Sequence, residues 1–205
     1  MSFLSNIFGP RKNEIWKQVS DEIGGEYYPD GFFKRGRLAV SHGEWVITFD
    51  TYTEDVNNIV QTYTRIRAPY NNKDGFRFNI YSKNIFSRIG VILGMQNIET
   101  GDAQFDEKFI IKGQPEDKTV KLFTNNKIKQ ILERQKAIRF MVKHGEGLFG
   151  TKFPEGVDEL YFAADGLIRD KERLKELFEL FSAVLAELYK MGSAYKTAAN
   201  IKLRG

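Results

Sequence analysis

Apolar residues recur at helical spacing in two parts of the chain. The longer pattern, residues 174–188, places them at i, i+3, i+4 and i+7 and predicts a long amphipathic helix after Asp170. Phe178 and Phe181 lie on its apolar stripe, so we expect both side chains to be buried. The shorter pattern, residues 13–23, predicts a second helix that a pair of glycines ends.

Alternation of apolar and polar residues predicts strands in the first half of the chain. Runs at 33–41 and 45–52 flank a His-Gly turn, which is typical of a β-hairpin. Further runs follow at 57–68, where Pro69 is expected to end the strand, and at 76–81. Because short turns separate the runs, we expect these strands to form an antiparallel meander.

Residues 105–135 form the stretch around which the other elements are expected to be arranged. A short apolar run, 109–112, predicts a central strand that stops at Gly113. Pro115 suits the first turn of a helix, because it has a fixed φ and lacks a backbone donor. The acidic pair after it favours a helix N-terminus, and apolar residues at helical spacing then predict a helical layer.

This stretch also carries a resemblance to a known family, at positions that all have packing roles. They are Phe105, Phe109, Ile110, Ile111, Lys112, Gly113, Val120, Lys121, Leu122, Phe123, Thr124, Ile128, Ile131 and Leu132. The pattern resembles uncharacterised bacterial domains of unknown function, in which a phenylalanine-bounded strand, an acidic turn and a helix with two aliphatic clusters recur. Some of those proteins are membrane-anchored. The resemblance implies no activity, and no functional residue is carried over from it.

The remaining elements complete a mixed architecture. Residues 137–143 and 159–163 are expected to be strands, whereas residues 85–94 fit a strand or a helix, because two glycines interrupt a mixed pattern. The chain therefore predicts an α+β protein with a predominantly antiparallel meander sheet and helices packed on one face.

The expected domain organisation is a single α+β domain at 13–192, a loose lead at 1–12 and a flexible basic tail at 193–205. The lead carries four apolar residues that would share one face of a helical turn: Phe3, Leu4, Ile7 and Phe8. Their pattern fits a weak membrane contact, and it also fits a docked or frayed terminus. No stretch approaches the roughly 20 apolar residues of a membrane span, and the start lacks the features of a signal peptide.

Composition narrows the possible chemistry. The absence of cysteine excludes disulfides, thiolate nucleophiles and thiolate metal sites. His42 and His144 are too few for a histidine-rich site, so we expect neither a metal nor a cofactor. Residues 145–150 match G-x-G-x-x-G, but Pro154 prevents the helix that a dinucleotide site needs, so we interpret the motif as a turn.

Adjacent acidic residues offer carboxylates for general acid–base chemistry. They are Glu54 with Asp55, Asp106 with Glu107, Glu116 with Asp117, and Asp158 with Glu159. None lies in a recognisable catalytic motif, so no catalytic residue is assigned.

Arginines of the predicted strands form the most informative polar pattern. Arg35 and Arg37 have one parity, Arg65 and Arg67 share a parity in a later run, and Arg77 lies in another. Alternation directs one parity to one face, so neighbouring strands would place these side chains on a shared solvent face. Because arginine binds oxyanions bidentately, this face is a candidate anion-binding surface. It also fits a solvated outer face that nearby acids balance.

The expected function is a non-catalytic binding or scaffolding domain of a bacterial cytoplasmic protein, with a membrane-peripheral location as the alternative. Its partner would be an acidic protein or an anionic lipid surface. A net charge of +4 is low for a dedicated nucleic-acid-binding arm. Two other functions stay open: an enzyme whose site no motif encodes, and a weak, sequence-independent nucleic-acid binder.

Overall fold

The computed structural model describes residues 11–31, 35–56, 58–85, 97–145, 152–201 and 203. Strands in this part of the chain form one antiparallel sheet: β1 (Glu26–Tyr28), β2 (Arg37–His42), β3 (Trp45–Val56), β4 (Ile59–Asn71), β5 (Arg77–Ser82), β6 (Phe109–Gln114), β7 (Ile138–Lys143) and β8 (Val157–Asp165). Their order across the sheet is β1-β2-β3-β4-β8-β7-β5-β6.

Helices pack on one face of this sheet. Within the described residues they are α1 (Lys12–Ile23), α2 (Ala103–Lys108), α3 (Glu116–Phe123), α4 (Asn126–Glu133) and α5 (Lys171–Lys190), with a 3₁₀ turn at Lys83–Ile85. Apolar residues of the sheet and of the helices join in one core between the two layers. The predicted α+β class, with an antiparallel sheet and helices on one face, is therefore confirmed.

Helix α5 carries the main apolar stripe against the sheet. The side chain of Asp170 caps it by accepting a hydrogen bond from the backbone N–H of Arg173, at 3.0 Å. Phe181 is fully buried, and its ring lies 5.7 Å from that of Phe140. The predicted burial of Phe178 holds only in part, because its half-buried ring packs edge-on against His42 at the rim of the core.

The first four strands form the predicted meander, but β4 continues through Pro69 to Asn71. The expectation that Pro69 ends this strand was wrong. The ladder between β3 and β4 stops at Thr48 and Arg67, so Pro69 lies where β4 pairs with β8 alone. A residue without a backbone donor is tolerated at such an edge.

The run at 76–81 was expected to continue this meander, but that was wrong, because β8 inserts beside β4 and β5 pairs with β6 and β7 instead. Strand β6 lies at the far edge of the sheet. The predicted central position of the strand at 109–112 was therefore wrong. Residues before α2 cover the open edge of β6. The N–H of Ile98 donates to the carbonyl of Ile111 at 2.8 Å, and Asn97 Oδ1 accepts from the Ile111 N–H at 2.8 Å.

The helical layer after β6 consists of two helices rather than one continuous run. Helix α3 ends at Thr124, and the Asn125 side chain accepts from the N–H groups of Lys127 and Ile128 to begin α4. Gly113 lies inside β6, where an added Cβ would stand 2.3 Å from Thr119 Oγ1. Glycine is thus what lets α3 approach the sheet so closely.

The described part of the tail is anchored, contrary to the expectation of a flexible tail. The N–H of Tyr195 donates to the carbonyl of Asn71 at 3.0 Å, and Asn71 Nδ2 donates to Thr197 Oγ1 at 2.8 Å. Leu203 packs with two residues at the start of β8 and just before it, Phe153 and Val157. These contacts hold the tail to the end of the sheet.

Three expectations fall on residues outside the described ranges. They concern the lead at 1–10, the ambiguous stretch beyond Ile85, and the glycine motif beyond Gly145. Among the described residues, no helix combines the length and the apolar character needed to cross a membrane.

Candidate functional site

We use the term outer face for the side of the sheet opposite the helices. On this face, alternate residues of each strand form two rows across the sheet. These rows are Asp50–Arg65–Ala163–Arg139–Tyr81 and Thr48–Arg67–Tyr161–Met141–Asn79–Lys112. Register thus brings charged and aromatic side chains from separate parts of the sequence into one surface.

Asp50 is the fully buried centre of the first charge cluster. Arg65 Nε donates to Asp50 Oδ1 at 2.7 Å and its Nη2 donates to Oδ2 at 2.8 Å, a bidentate pair. Arg67 Nη2 donates to the same Oδ2 at 2.5 Å. Burial lowers the pKa of Arg65, but the hydrogen bonds and charge of Asp50 outweigh it and raise that pKa overall. For Arg67, burial prevails and lowers the pKa.

Buried Glu159 and half-buried Lys143 form a second pair beside the first cluster. Lys143 Nζ lies 3.4 Å from Glu159 Oε2 and 3.7 Å from the centre of the Tyr161 ring. Burial raises the pKa of Glu159 despite the attraction of Lys143 and Arg67, and burial lowers the pKa of Lys143. Because Glu159 is fully buried, its carboxyl group balances neighbouring charge rather than presenting itself to a substrate.

Each of four cations on the outer face lies over a tyrosine ring. The distances to the ring centres are 4.6 Å for Arg37 over Tyr28, 5.1 Å for Arg65 over Tyr52, 5.5 Å for Arg139 over Tyr63 and 3.7 Å for Lys143 over Tyr161. The rings of Tyr52 and Tyr63 stack at 5.1 Å, and the Tyr161 hydroxyl donates to that of Tyr52 at 3.2 Å. Burial raises the pKa of Tyr52 well above its usual value. The uncharged tyrosine rings therefore hold the cations in place through cation–π contacts.

The structure brings together only part of the predicted arginine set. Arg37, Arg65 and Arg67 lie on the outer face, but the prediction that these arginines face solvent was wrong for two of them. The Arg67 side chain is 1% exposed and that of Arg65 is 17% exposed, because both surround the buried Asp50. Arg35 precedes β2 and is separate from this set, since it donates to the Thr51 carbonyl at 3.2 Å.

Arg77 belongs to a different cluster, at the end of the sheet where β5 begins and β7 ends. Its Nε and Nη2 donate to the two oxygens of Asp158 at 2.8 and 2.9 Å. Asn72 Nδ2 donates to Asp158 Oδ2 at 2.7 Å, and His144 Nδ1 lies 3.1 Å from Oδ1. Burial would raise the pKa of Asp158, but these hydrogen bonds outweigh it and lower the pKa.

Sequence reasoning named Asp50 only as one of the acids that could balance the arginines, Tyr63 only as their neighbour, and Glu159 only as one of several acidic residues. It did not single out Lys143, Arg139 or the other tyrosines of the outer face. Strand parity is the signal that could have found them, but it needs the strand order, which depends on distant pairings. In the ranges that the structure covers, no group of three or more metal-ligating side chains comes together.

The chain was compared with protein-family models, with curated proteins and with solved structures, and nothing matched. The resemblance to domains of unknown function therefore stays a prediction. The four apolar residues proposed for membrane contact, Phe3, Leu4, Ile7 and Phe8, lie outside the described residues.

Proposed function

We propose that this protein is a non-catalytic binding module that holds an acidic segment of a partner protein on its outer face. The observation that carries the proposal is the row of cations seated on tyrosine rings on the side of the sheet opposite the helices. Tyrosine and arginine are the residue types enriched where protein interfaces gain most of their binding energy.

Two of these cations are available to a partner. Arg37 and Arg139 are half-buried, each contacts a tyrosine ring, and neither forms an ion pair with a described carboxylate. Partial burial strengthens the attraction between a guanidinium group and an incoming carboxylate, because water screens it less. The planar guanidinium group also matches a carboxylate in bidentate geometry.

The same geometry disfavours the other anionic partners. Nucleic-acid bases bind single-strand platforms by stacking on open aromatic faces, whereas the four tyrosine rings here already carry a cation. A lipid surface is contacted by cations that reach outward, whereas Arg65 and Arg67 are held inward by Asp50. The proposal includes a cytoplasmic location, where the partner could also hold the protein near a membrane.

No catalytic arrangement supports the enzyme alternative among the described residues of the outer face. Two carboxylates at its centre, Asp50 and Glu159, are both fully buried and lie beside cations. Such groups balance the charge of their neighbours inside the protein rather than acting on a substrate.

Titration with poly-glutamate at low salt tests the proposal. We expect saturable binding that weakens as salt rises, and its loss in the double variant Arg37→Glu with Arg139→Glu, because two attractive charges become repulsive. The matched control is Lys121→Glu with Lys136→Glu, which makes the same charge change at exposed positions of α3 and after α4. Circular dichroism checks that both variants fold.

Two results would overturn the proposal. One is equal weakening by the control pair, which would show that net charge alone drives association. The other is a preference for anionic vesicles or single-stranded DNA over poly-glutamate that depends on the same two arginines, since a lipid or nucleic-acid partner would then fit better.

A further inference from the structure

Asp158 contacts two exposed side chains at the end of the sheet, next to the Lys143–Glu159 pair. Its side chain is 2% exposed, whereas those of Arg77 and His144 are 51% and 46% exposed. Asp158 Oδ1 accepts from Arg77 Nη2 at 2.9 Å and contacts His144 Nδ1 at 3.1 Å. A buried carboxylate thus fixes an arginine and a histidine side by side at the surface.

The contacts of His144 determine which ring nitrogen carries the proton. Nδ1 lies 3.0 Å from the carbonyl oxygen of Val157, and a carbonyl oxygen can only accept a hydrogen bond. Nδ1 must therefore be the donor, and in the neutral ring Nε2 keeps its lone pair as an acceptor. Both contacts of the ring with described residues are made by Nδ1, and the side chain is 46% exposed, which leaves Nε2 for a ligand.

Arg77 offers the complementary chemistry beside it. Its Nε and Nη2 donate to Asp158, which leaves Nη1 as a donor for a ligand on a side chain that is 51% exposed. The fixed pair therefore presents a cationic donor and a neutral acceptor within one small area. A ligand that satisfies both must carry an anionic oxygen and, next to it, a hydroxyl group.

We propose that Arg77 and His144 form a binding site for small oxyanions that bear a hydroxyl group, such as a hydroxycarboxylate or hydrogen phosphate. The anionic oxygen accepts from Arg77 Nη1, and the hydroxyl donates to His144 Nε2. Asp158 partly cancels the charge of Arg77, so the hydrogen bond to the hydroxyl, rather than net charge, sets the preference among anions. This proposal does not depend on the acidic partner proposed above.

Matched ligand pairs test the proposal by NMR on the full chain, with the His144 ring nitrogens as the readout. Glycolate and acetate differ by one hydroxyl, and hydrogen phosphate retains a proton that sulfate lacks near neutral pH. The titrations are done where the ring nitrogen shifts show neutral His144. We expect glycolate and phosphate to bind about tenfold more tightly than acetate and sulfate, the factor that one additional hydrogen bond gives. The dissociation constants of glycolate and hydrogen phosphate, compared with each other, show whether the hydroxycarboxylate or the phosphate fits better.

Two variants separate the roles of the side chains. His144→Phe should keep weak anion binding, read from the Arg77 side-chain resonances, and lose the preference within each pair. Arg77→Met should weaken all four ligands. The control is Arg134→Met, because Arg134 is also 51% exposed and also bonds a carboxylate through Nε, at 2.9 Å from Glu176. Arg134→Met should leave the affinities for all four ligands unchanged.

The proposal is overturned if the His144 ring shows no saturable response, if the members of each pair bind equally, or if His144→Phe retains the preference. Should Arg77→Met fail to fold, the comparison of ligand pairs on the wild-type chain and on His144→Phe still decides the outcome.

Discussion

Replacing Asp50 with asparagine should be among the most destabilising single changes on the outer face. The substitution keeps the shape of the side chain but removes the negative charge that Arg65 and Arg67 share. Both arginines would stay surrounded by protein, since their side chains are 17% and 1% exposed. The experiment therefore measures the effect of removing the Asp50 charge, because the volume of the side chain hardly changes.

The expected magnitude follows from the burial of the whole cluster. Removing one partner of a buried ion pair costs about 3–5 kcal/mol, because the remaining charge is left in a poorly solvated place. Here the carboxylate accepts three hydrogen bonds of 2.5–2.8 Å from two guanidinium groups. We expect Asp50→Asn to lower the free energy of unfolding by at least about 3 kcal/mol.

Urea denaturation, followed by circular dichroism, measures this loss. Asp21→Asn is the control, because Asp21 pairs with Lys17 at a site where both side chains are 64% exposed, and it should cost less than about 1 kcal/mol. In a double-mutant cycle, Asp50→Asn combined with Arg67→Met should cost less than the sum of the two single changes. A loss below about 1 kcal/mol for Asp50→Asn, or strict additivity in the cycle, would refute the idea of a coupled buried cluster.

Three further outcomes follow from the fold. Phe181→Ala should cost about 3–5 kcal/mol in urea denaturation, clearly more than Phe178→Ala, because only the former ring is fully buried; equal losses would contradict this packing. Gly113→Ala should lower the melting temperature, and Thr119→Ala should restore part of it by removing the hydroxyl that a Cβ would meet. The raised pKa of Glu159 means that wild-type stability falls as pH rises from its ordinary value of 4.5 through the folded-state pKa. Glu159→Gln should lack that fall when unfolding is measured across the same pH range.

Local pattern was enough to predict most helices and strands. The apolar stripe at 174–188 predicted α5, and alternation predicted the hairpin of β2 and β3. Both signals could be read because they depend on residues close in sequence. The position of β6 at the sheet edge could not be predicted in this way. It depends on β8 inserting beside β4, a pairing between residues about a hundred positions apart.

The candidate site shows the same division. Parity correctly placed Arg65 and Arg67 on one face, but their burial depends on Asp50, which lies opposite Arg65 in the β3–β4 register. Parity failed for Arg35, because this residue lies before β2 begins and strand alternation does not constrain it. Asp158 in β8 fixes the Arg77 side chain by a hydrogen bond, and no local sequence pattern reveals that these two residues are close.

Residue-level NMR mapping of an acidic peptide on the protein tests the central claim most directly. A glutamate-rich peptide should shift the side-chain resonances of Arg37 and Arg139 and the ring resonances of Tyr52 and Tyr63, with an effect that weakens as salt rises. The resonances of α4 and α5 should stay unchanged at the same peptide concentrations. Shifts confined to those helices, or no saturable shifts on the outer face, would contradict the account.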